Sequence, residues 1–371
     1  MTTPADDGAV PTDLDSPAID APQLDLGALH AAGADKPVKD YHGPLLDVRD
    51  LKVEFRTREG IARAVNGVSY SVHAGETLAV LGESGSGKSV TAQAIMGILD
   101  TPPGFITGGQ VLFKGRDLLT LPEKERRAYR GARISMIFQD ALSSLNPVYS
   151  VGHQIAEMFK VHRGMGKKEG MAKAVELMEA VKIPGAKERV KNYPHEFSGG
   201  MRQRIMIAMA IALDPEVLIA DEPTTALDVT VQAQIMELLK DLQQQRDMGL
   251  ILITHDLGVV ADVADKAAVM YAGRIVERAN IFDLYGRPAH PYTEGLLKSI
   301  PRVDSKGSVL DAIPGLPPTL TNLPSGCNFA PRCSYAQPAC DEGYPPVVSV
   351  ASDHDTACFR WQEVYRDDVE Q

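Results

Sequence analysis

The segment GESGSGKS at residues 82–89 has the residue types and spacing that hold phosphate groups. It fits the pattern G-x-x-x-x-G-K-[ST] and lies between an apolar strand-like run and a helical pattern. Glycines let backbone N–H groups curl around phosphate oxygens, and a helix N-terminus adds partial positive charge. Lys88 is predicted to bind the β and γ phosphates of ATP, and Ser89 to ligate Mg²⁺. The predicted nucleotide-binding residues of this loop are Gly82, Ser84, Gly85, Ser86, Gly87, Lys88, Ser89 and Val90.

An acidic pair follows a second apolar run, VLIADE at residues 217–222. Asp221 and Glu222 stand at the carboxyl end of that run, where ligands of open α/β sheets bind. Asp221 is predicted to hold Mg²⁺ through water, and Glu222 to act as the general base that activates the attacking water. An acidic pair alone also fits a solvated turn. Together with the glycine-rich loop it predicts a P-loop ATPase.

A second glycine motif, FSGGMRQR at residues 197–204, comes directly before a long apolar helix. Ser198, Gly199 and Gly200 would therefore form another phosphate-binding helix N-terminus. One nucleotide has one set of phosphates, which its own P-loop already binds. The second motif therefore predicts an ATP held between two subunits.

These motifs resemble the ATP-binding cassette family, whose signature is usually written LSGGQ, and the resemblance covers about residues 45–300. It implies that Gln139 is the glutamine that links Mg²⁺ and water to the helical subdomain. His255 resembles the switch histidine that contacts the γ phosphate, and Phe55 aligns with the aromatic residue that stacks on adenine. TALD at 225–228 resembles the D-loop, which places Asp228 near nucleotide.

Phe197 and Met201 replace the usual leucine and glutamine of the signature. With HPY at 290–292 and a cysteine-rich tail, the chain is similar to the D-type ATPase subunit of bacterial oligopeptide and dipeptide importers. That resemblance implies a peripheral ATPase on the cytoplasmic face of the cell membrane. Its implied partners are a sister F-type ATPase subunit, two membrane permeases and an extracytoplasmic substrate-binding protein.

Two alternatives remain for the function. The cargo of such an importer could be a non-peptide solute such as nickel or haem. A soluble cassette ATPase of DNA repair, chromosome structure or translation is the other class, although those usually carry two cassettes or a long coiled coil. The formal net charge of −11 argues against nucleic-acid binding, which needs a basic surface.

The elements that must position these residues are predicted from hydrophobic patterns. Runs at 45–55 and 64–72 predict an antiparallel sheet, and buried runs at 77–82, 134–139, 217–222 and 250–255 predict a mostly parallel α/β sheet. The fold class is therefore α/β: a P-loop ATP-binding cassette with an antiparallel β subdomain, a helical signature subdomain and a Cys-rich C-terminal extension.

Composition divides the chain into three parts. Residues 1–42 predict a disordered leader, 43–300 the cassette with its helical subdomain at about 140–197, and 301–371 the Cys-rich extension. Residues between Gln139 and Phe197, including ALSSLNP at 141–147, are predicted to form the groove for a permease helix. The N-terminus lacks a secretory signal, which predicts the cytoplasm, and no apolar run reaches the roughly 18 residues of a membrane span.

The four cysteines of the chain have the spacing C-x5-C-x6-C-x17-C. Disulfides are disfavoured in a reducing cytosol. A 4Fe-4S cluster, a structural zinc site and unligated thiols remain, although zinc sites usually contain a C-x2-4-C pair. The resemblance to importer subunits that hold a cluster favours iron. His354 either replaces a ligand or lies exposed to solvent. The candidate ligands are Cys327, Cys333, Cys340 and Cys358.

Overall fold

The computed structural model describes residues 41–140, 144–225, 227–300 and 313–365. The predicted leader therefore lies almost wholly outside the described residues. Part of the predicted permease groove, 141–143, and part of the D-loop, Ala226, lie outside them as well. Within the described ranges, each helix is too short or too polar to cross a bilayer.

The first sheet is antiparallel, with the strand order β2-β1-β4-β5. Apolar side chains alternate along β1, so that one face of the strand packs into a hydrophobic core with residues such as Val48 and Val53. The predicted antiparallel sheet is confirmed. Its strands are β1 (Leu46–Thr57), β2 (Gly60–Val72), β4 (Gly104–Phe113) and β5 (Arg116–Asp117).

The second sheet has eight strands in the order β11-β12-β10-β9-β3-β8-β7-β6. Strands β3, β7 and β8 are buried at every position, as expected for parallel strands covered on both faces. The predicted mostly parallel core is confirmed. Its parallel strands are β3 (Thr77–Leu81), β6 (Ile134–Ile137), β7 (Val217–Asp221), β8 (Gly249–Thr254) and β9 (Lys266–Tyr271), and β10 (Arg274–Asn280) forms an antiparallel hairpin with β9.

Helices connect the strands of the second sheet and also form the predicted helical region. In that region α3 (Val151–Arg163) and α4 (Lys167–Ala180) pack against each other and against α6 (Gly199–Ala210), and α5 (Ala186–Arg189) packs against α4. The other described α-helices are α1 (Lys88–Met96), α2 (Glu123–Tyr129), α7 (Val229–Arg246), α8 (Leu257–Val260), α9 (Ile281–Gly286), α10 (Pro291–Lys298), α11 (Ala339–Glu342) and α12 (Trp361–Val364).

The described part of the C-terminal tail extends the cassette sheet. Strand β12 (His354–Thr356) pairs with β10, and β11 (Val348–Ala351) pairs with β12. The carboxylate of Glu277 on β10 is buried and accepts hydrogen bonds from the N–H groups of Ala289 (2.6 Å) and His290 (2.9 Å). His354 Nε2 lies 2.8 Å from Glu277 Oε1. The predicted exposure of His354 is therefore wrong, because the ring is fully buried as the partner of this carboxylate.

Replacing Glu277 with alanine is expected to lower the free energy of unfolding by about 3 kcal/mol or more, because it strands three buried donors at once. Urea denaturation of the full chain measures this effect. Glu363→Ala, which removes an ion pair at the surface, is the control and should change the free energy by about 0.5 kcal/mol or less. Equal effects of the two changes would contradict the role given to Glu277.

Candidate active site

The glycine-rich loop lies flat against two neighbouring strands. A Cβ atom on Gly82, where φ is +146°, would stand 2.1 Å from the Met270 carbonyl oxygen on β9. A Cβ on Gly87, at φ +105°, would stand 2.2 Å from the Ala64 carbonyl oxygen on β2. Only glycine fits such positions. The loop is therefore held close to the sheet and leads directly into the N-terminus of α1, whose first N–H groups carry no side-chain cap among the described residues.

Lys88 is buried and its ammonium group is anchored to the loop. Its Nζ donates to the carbonyl oxygens of Gly82 (2.7 Å) and Glu83 (3.0 Å). Burial lowers the pKa of Lys88, and the carboxylates of Glu222, Asp221 and Glu83 oppose that shift. An ammonium group has three donors, so this geometry leaves one for a phosphate oxygen.

Ser89 and Asp221 meet beside Lys88. The Ser89 hydroxyl donates to Asp221 Oδ1 at 2.9 Å, although the two residues lie 132 positions apart in the chain. Burial raises the pKa of Asp221, and the hydrogen bond from Ser89 acts against this rise. A hydroxyl and a carboxylate are the oxygen ligands that Mg²⁺ prefers. The pair therefore fits the predicted magnesium site.

The predicted catalytic residues Gln139 and His255 both contact the side chain of Glu222. Its Oε2 accepts hydrogen bonds from Gln139 Nε2 (2.8 Å) and Thr225 Oγ1 (3.0 Å), and its Oε1 lies 3.2 Å from His255 Nδ1. The backbone of Glu222 is left-handed, at φ +45°, and its N–H donates to the Ile253 carbonyl oxygen at 2.8 Å. A strained backbone of this kind is found at functional sites.

These groups surround one cavity of about 800 Å³, a volume that suits a nucleotide. Predicted residues that line it are Phe55, Gly82, Ser84, Gly85, Gly87, Lys88, Ser89, Val90, Gln139, Glu222 and His255. The Ser86 hydroxyl is buried without a hydrogen-bond partner in the described part of the chain. Glu83, Leu296, Ser299, Ile313 and Leu320 also line the cavity, and sequence reasoning did not predict them.

The signature residues lie away from this cavity. Ser198 caps α6, with its Oγ accepting from the Met201 N–H at 3.4 Å, and both Ser198 and Gly199 are exposed. Gly200 packs on Val231, so that a Cβ would stand 2.7 Å from a valine methyl group. Asp228 is exposed and caps α7. The chain therefore does not bring Ser198, Gly199, Gly200 or Asp228 to its own P-loop cavity.

A second cavity, of about 700 Å³, lies in the helical region. Its wall carries the exposed apolar side chains of Val148, Tyr149 and Tyr193, next to Lys167 and Lys191. This surface lies within the segment between Gln139 and Phe197 that was predicted to form the groove for a permease helix.

The four cysteines lie near one another. The Cys327 N–H donates to the Cys340 carbonyl oxygen at 2.7 Å. Burial raises the pKa of Cys358 to about 12, and the charges of the three other cysteines add to the rise. Burial likewise raises the pKa of Cys333 to about 11. Among the described residues, no three histidine, cysteine or acidic side chains meet closely enough to hold a single metal ion.

Comparisons with known proteins agree with this geometry. Residues 65–225 match the ABC transporter family, and residues 276–340 match the oligopeptide/dipeptide transporter C-terminal region. The oligopeptide transport ATP-binding protein OppD of Bacillus subtilis is 55% identical over 311 residues, which cover 84% of this chain and 87% of the relative. OppD of Salmonella typhimurium is 52% identical over 316 residues, 85% of this chain and 93% of the relative.

A solved structure of a dimeric bacterial ABC transporter cassette, MJ0796, superimposes with a TM-score of 0.57 at 26% identity, covering 64% of this chain and 98% of that chain. Fold, site and relatives together define an ATP-hydrolysing cassette. The chain belongs to the ABC transporter family, among the ATP-binding subunits that carry the oligopeptide/dipeptide transporter C-terminal region.

Changing Gly82 to alanine is expected to weaken binding of the non-hydrolysable analogue AMP-PNP at least about tenfold. The added methyl group would push the loop off β9, and overpacking of this kind costs about 1–3 kcal/mol. Calorimetric titration measures the affinity. Gly164→Ala is the control, because Gly164 also has a positive φ, +63°, but no atom within 4 Å of its Cβ position and no place in the cavity wall. A loss of affinity at Gly164 as large as that at Gly82 would contradict the steric explanation.

Proposed function

We propose that this chain hydrolyses ATP to power the import of oligopeptides or dipeptides, from the cytoplasmic face of the cell membrane, with two permeases and a substrate-binding protein. The observation that carries the proposal is the convergence of Gln139, Thr225 and His255 on Glu222 beside the phosphate loop. The transport names of the relatives and the match at 276–340 support the peptide cargo.

The site residues take separate parts in the proposed hydrolysis. Lys88 directs its remaining N–H to the phosphates, and Phe55 stacks on the adenine. Ser89 and Gln139, with Asp221 acting through water, would hold Mg²⁺, which would offset the negative charge of the phosphates. Glu222 accepts the proton of the attacking water.

Two side-chain donors, Gln139 and Thr225, and the adjacent His255 ring hold the Glu222 carboxylate, so it is positioned before ATP arrives. His255 lies beside the same carboxylate and is largely exposed at the cavity, where it would contact the γ phosphate of a bound ATP.

We further infer a dimer of cassettes, with a sister F-type subunit as the partner. The support is the exposure of the N-termini of α6 and α7, where Ser198, Gly199 and Asp228 face away from the chain's own cavity. A partner's P-loop placed opposite these termini would complete both ATP sites. Closure and release of the two cassettes then drive the transport cycle.

The cavity beside Val148, Tyr149 and Tyr193 is the proposed docking groove for a permease helix. Exposed aromatic and aliphatic side chains at the base of the helical region suit a partner helix, because such a helix buries an apolar face in a groove. The same region follows Gln139 in the chain. A movement of Gln139 on ATP binding would therefore be passed to the permease through the few residues that separate it from the groove.

Glu222→Gln keeps the size of the side chain but removes the base. Transport-linked ATP turnover and peptide uptake by the assembled complex are expected to fall about 10²–10⁴-fold, while nucleotide binding is retained. Phosphate release and radiolabelled peptide uptake measure both activities. Glu237→Gln, on the exposed face of α7, is the control with the same chemical change. Turnover at the wild-type rate in the Glu222→Gln complex would refute the proposal.

We also propose that Cys327, Cys333, Cys340 and Cys358 hold a 4Fe-4S cluster that stabilises the tail. A zinc ion needs all its thiolate ligands about 2.3 Å from one point, whereas a cluster spreads four cysteines over separate irons. The spacing of the four cysteines, which lacks the C-x2-4-C pair usual in zinc sites, supports the larger group. Metal binding would also overcome the raised pKa values of these thiols, because ligation favours the thiolate.

Anaerobic purification is expected to give a brown protein that contains iron and acid-labile sulfide. Cys333→Ser should lose the iron and lower the melting temperature of the tail. Ser352→Ala, at an exposed site of the same tail, is the control and should keep the iron. A colourless protein that contains zinc, or metal-free thiols, would end the cluster proposal.

A further inference from the structure

A side chain of the C-terminal tail contacts the phosphate loop. Arg332 is 4% exposed, and its guanidinium group donates to both carboxylate oxygens of Glu83, from Nη1 at 2.7 Å and from Nη2 at 3.0 Å. Two parallel bonds of this kind fix the relative orientation of the two groups. The residues lie 249 positions apart in the chain, so the tail folds back onto the active site.

The guanidinium group is itself held in place. Its Nε donates to the Pro314 carbonyl oxygen at 2.9 Å, and Nη1 lies 3.3 Å from the Tyr271 hydroxyl. Its position is therefore determined by both the tail and β9. A buried arginine with partners on several sides loses little further freedom when it binds a carboxylate.

Glu83 connects this arginine to the lysine of the loop. It follows Gly82 directly, its N–H donates to the Tyr292 hydroxyl at 2.8 Å, and its carbonyl oxygen accepts from Lys88 Nζ at 3.0 Å. One residue thus binds a tail cation with its side chain and the loop cation with its backbone. Displacement of Glu83 would move an anchor of Lys88.

The charge of Glu83 also needs a partner. It is one of three carboxylates, with Asp221 and Glu222, that act on Lys88. ATP brings several further negative charges to the same cavity, which Glu83 lines. An unpaired carboxylate at this point would repel the phosphates at short range. The arginine fork neutralises that carboxylate and turns it toward the tail.

We propose that Arg332 is a positioning residue for ATP binding: it holds Glu83 in place and removes its negative charge from the phosphate loop. This inference rests on the proposed nucleotide site. It gives the tail a direct part in nucleotide affinity, separate from any part in holding the subunit together.

The test uses the full-length chain, AMP-PNP and Mg²⁺ in calorimetric titrations. Arg332→Gln is expected to weaken binding at least about tenfold, because it leaves the Glu83 charge without its partner. Arg332→Lys keeps the positive charge but loses the two parallel hydrogen bonds. Its AMP-PNP affinity should fall between those of the wild type and Arg332→Gln. The double variant Glu83→Gln with Arg332→Gln removes both charges and should recover to within about threefold of the wild-type affinity.

The control is Arg360→Gln, which removes another tail arginine whose partners, Glu363 and Gln337, lie at the surface. It should bind AMP-PNP like the wild type. In the assembled complex, Arg332→Gln should raise KM for ATP more than it lowers kcat. Wild-type affinity of Arg332→Gln would overturn the proposal, as would a double variant as weak as the single one, since Arg332 would then only anchor the tail.

Two further variants cover a folding failure of Arg332→Gln and a failure of the proposed nucleotide site. If Arg332→Gln does not fold, Arg332→Lys decides the test, and wild-type affinity of that variant overturns the proposal. Lys88→Ala separates this inference from the proposed site. Normal AMP-PNP binding by Lys88→Ala would refute the nucleotide site itself, whereas loss of binding in Lys88→Ala with no effect of Arg332→Gln would refute the role of Arg332 alone.

Discussion

The parallel hydrogen-bond register of the central sheet is the constraint on which the active site depends. Leu81 on β3 is level with Thr254 on β8, and Asp221 on β7 is level with Ile253 on β8. All three strands therefore end at one edge of the sheet. The next residue of each strand enters the same cavity: Gly82, Glu222 and His255. A shift of one strand by one residue would move its catalytic group by about 3.3 Å, which is more than a hydrogen bond tolerates.

Most of this core could be predicted from the sequence, because its signals are local. Each buried strand is a continuous apolar run, and Gly82, Glu222 and His255 each stand directly after the end of such a run. The glycine-rich loop has a fixed spacing that reflects close contact with neighbouring backbone. Such contacts constrain residue type directly, as at Gly82 and Gly87.

The tail could not be predicted in the same way. Strand β12 has three residues, HDT, without an apolar pattern, and it joins β10 through a buried carboxylate and an imidazole. The charge of Glu277 gave no distinct signal, because Arg274 and Arg278 lie on the same strand. Arg332 and Glu83 offered no signal, since either alone reads as an ordinary surface charge. Long-range polar pairs depend on the whole topology, and a single sequence does not show their partners.

The HPY segment shows how such a tail becomes part of the cassette. Burial lowers the pKa of His290 to about 3, so the ring is neutral. Its Nδ1 accepts a hydrogen bond from the Tyr292 N–H at 3.0 Å and so caps the N-terminus of α10. The Tyr292 ring packs against Tyr271 and against Phe329 of the tail, with ring centroids 4.6 and 5.3 Å away. Its hydroxyl group then reaches the N–H of Glu83. Aromatic packing thus supplies the apolar contacts that the tail's own composition lacks.

This arrangement makes the tail a wall of the proposed nucleotide cavity. Ile313 and Leu320 line the same cavity as the phosphate loop, and the Leu320 carbonyl oxygen accepts from the Arg63 N–H at 3.2 Å. Arg332 lies next to Cys333, so any group that fixes the cysteines also fixes the arginine fork on Glu83. A glutamate in a loop that binds phosphate requires a nearby cation. Because the tail supplies that cation, folding of the tail and binding of ATP are energetically linked through Glu83.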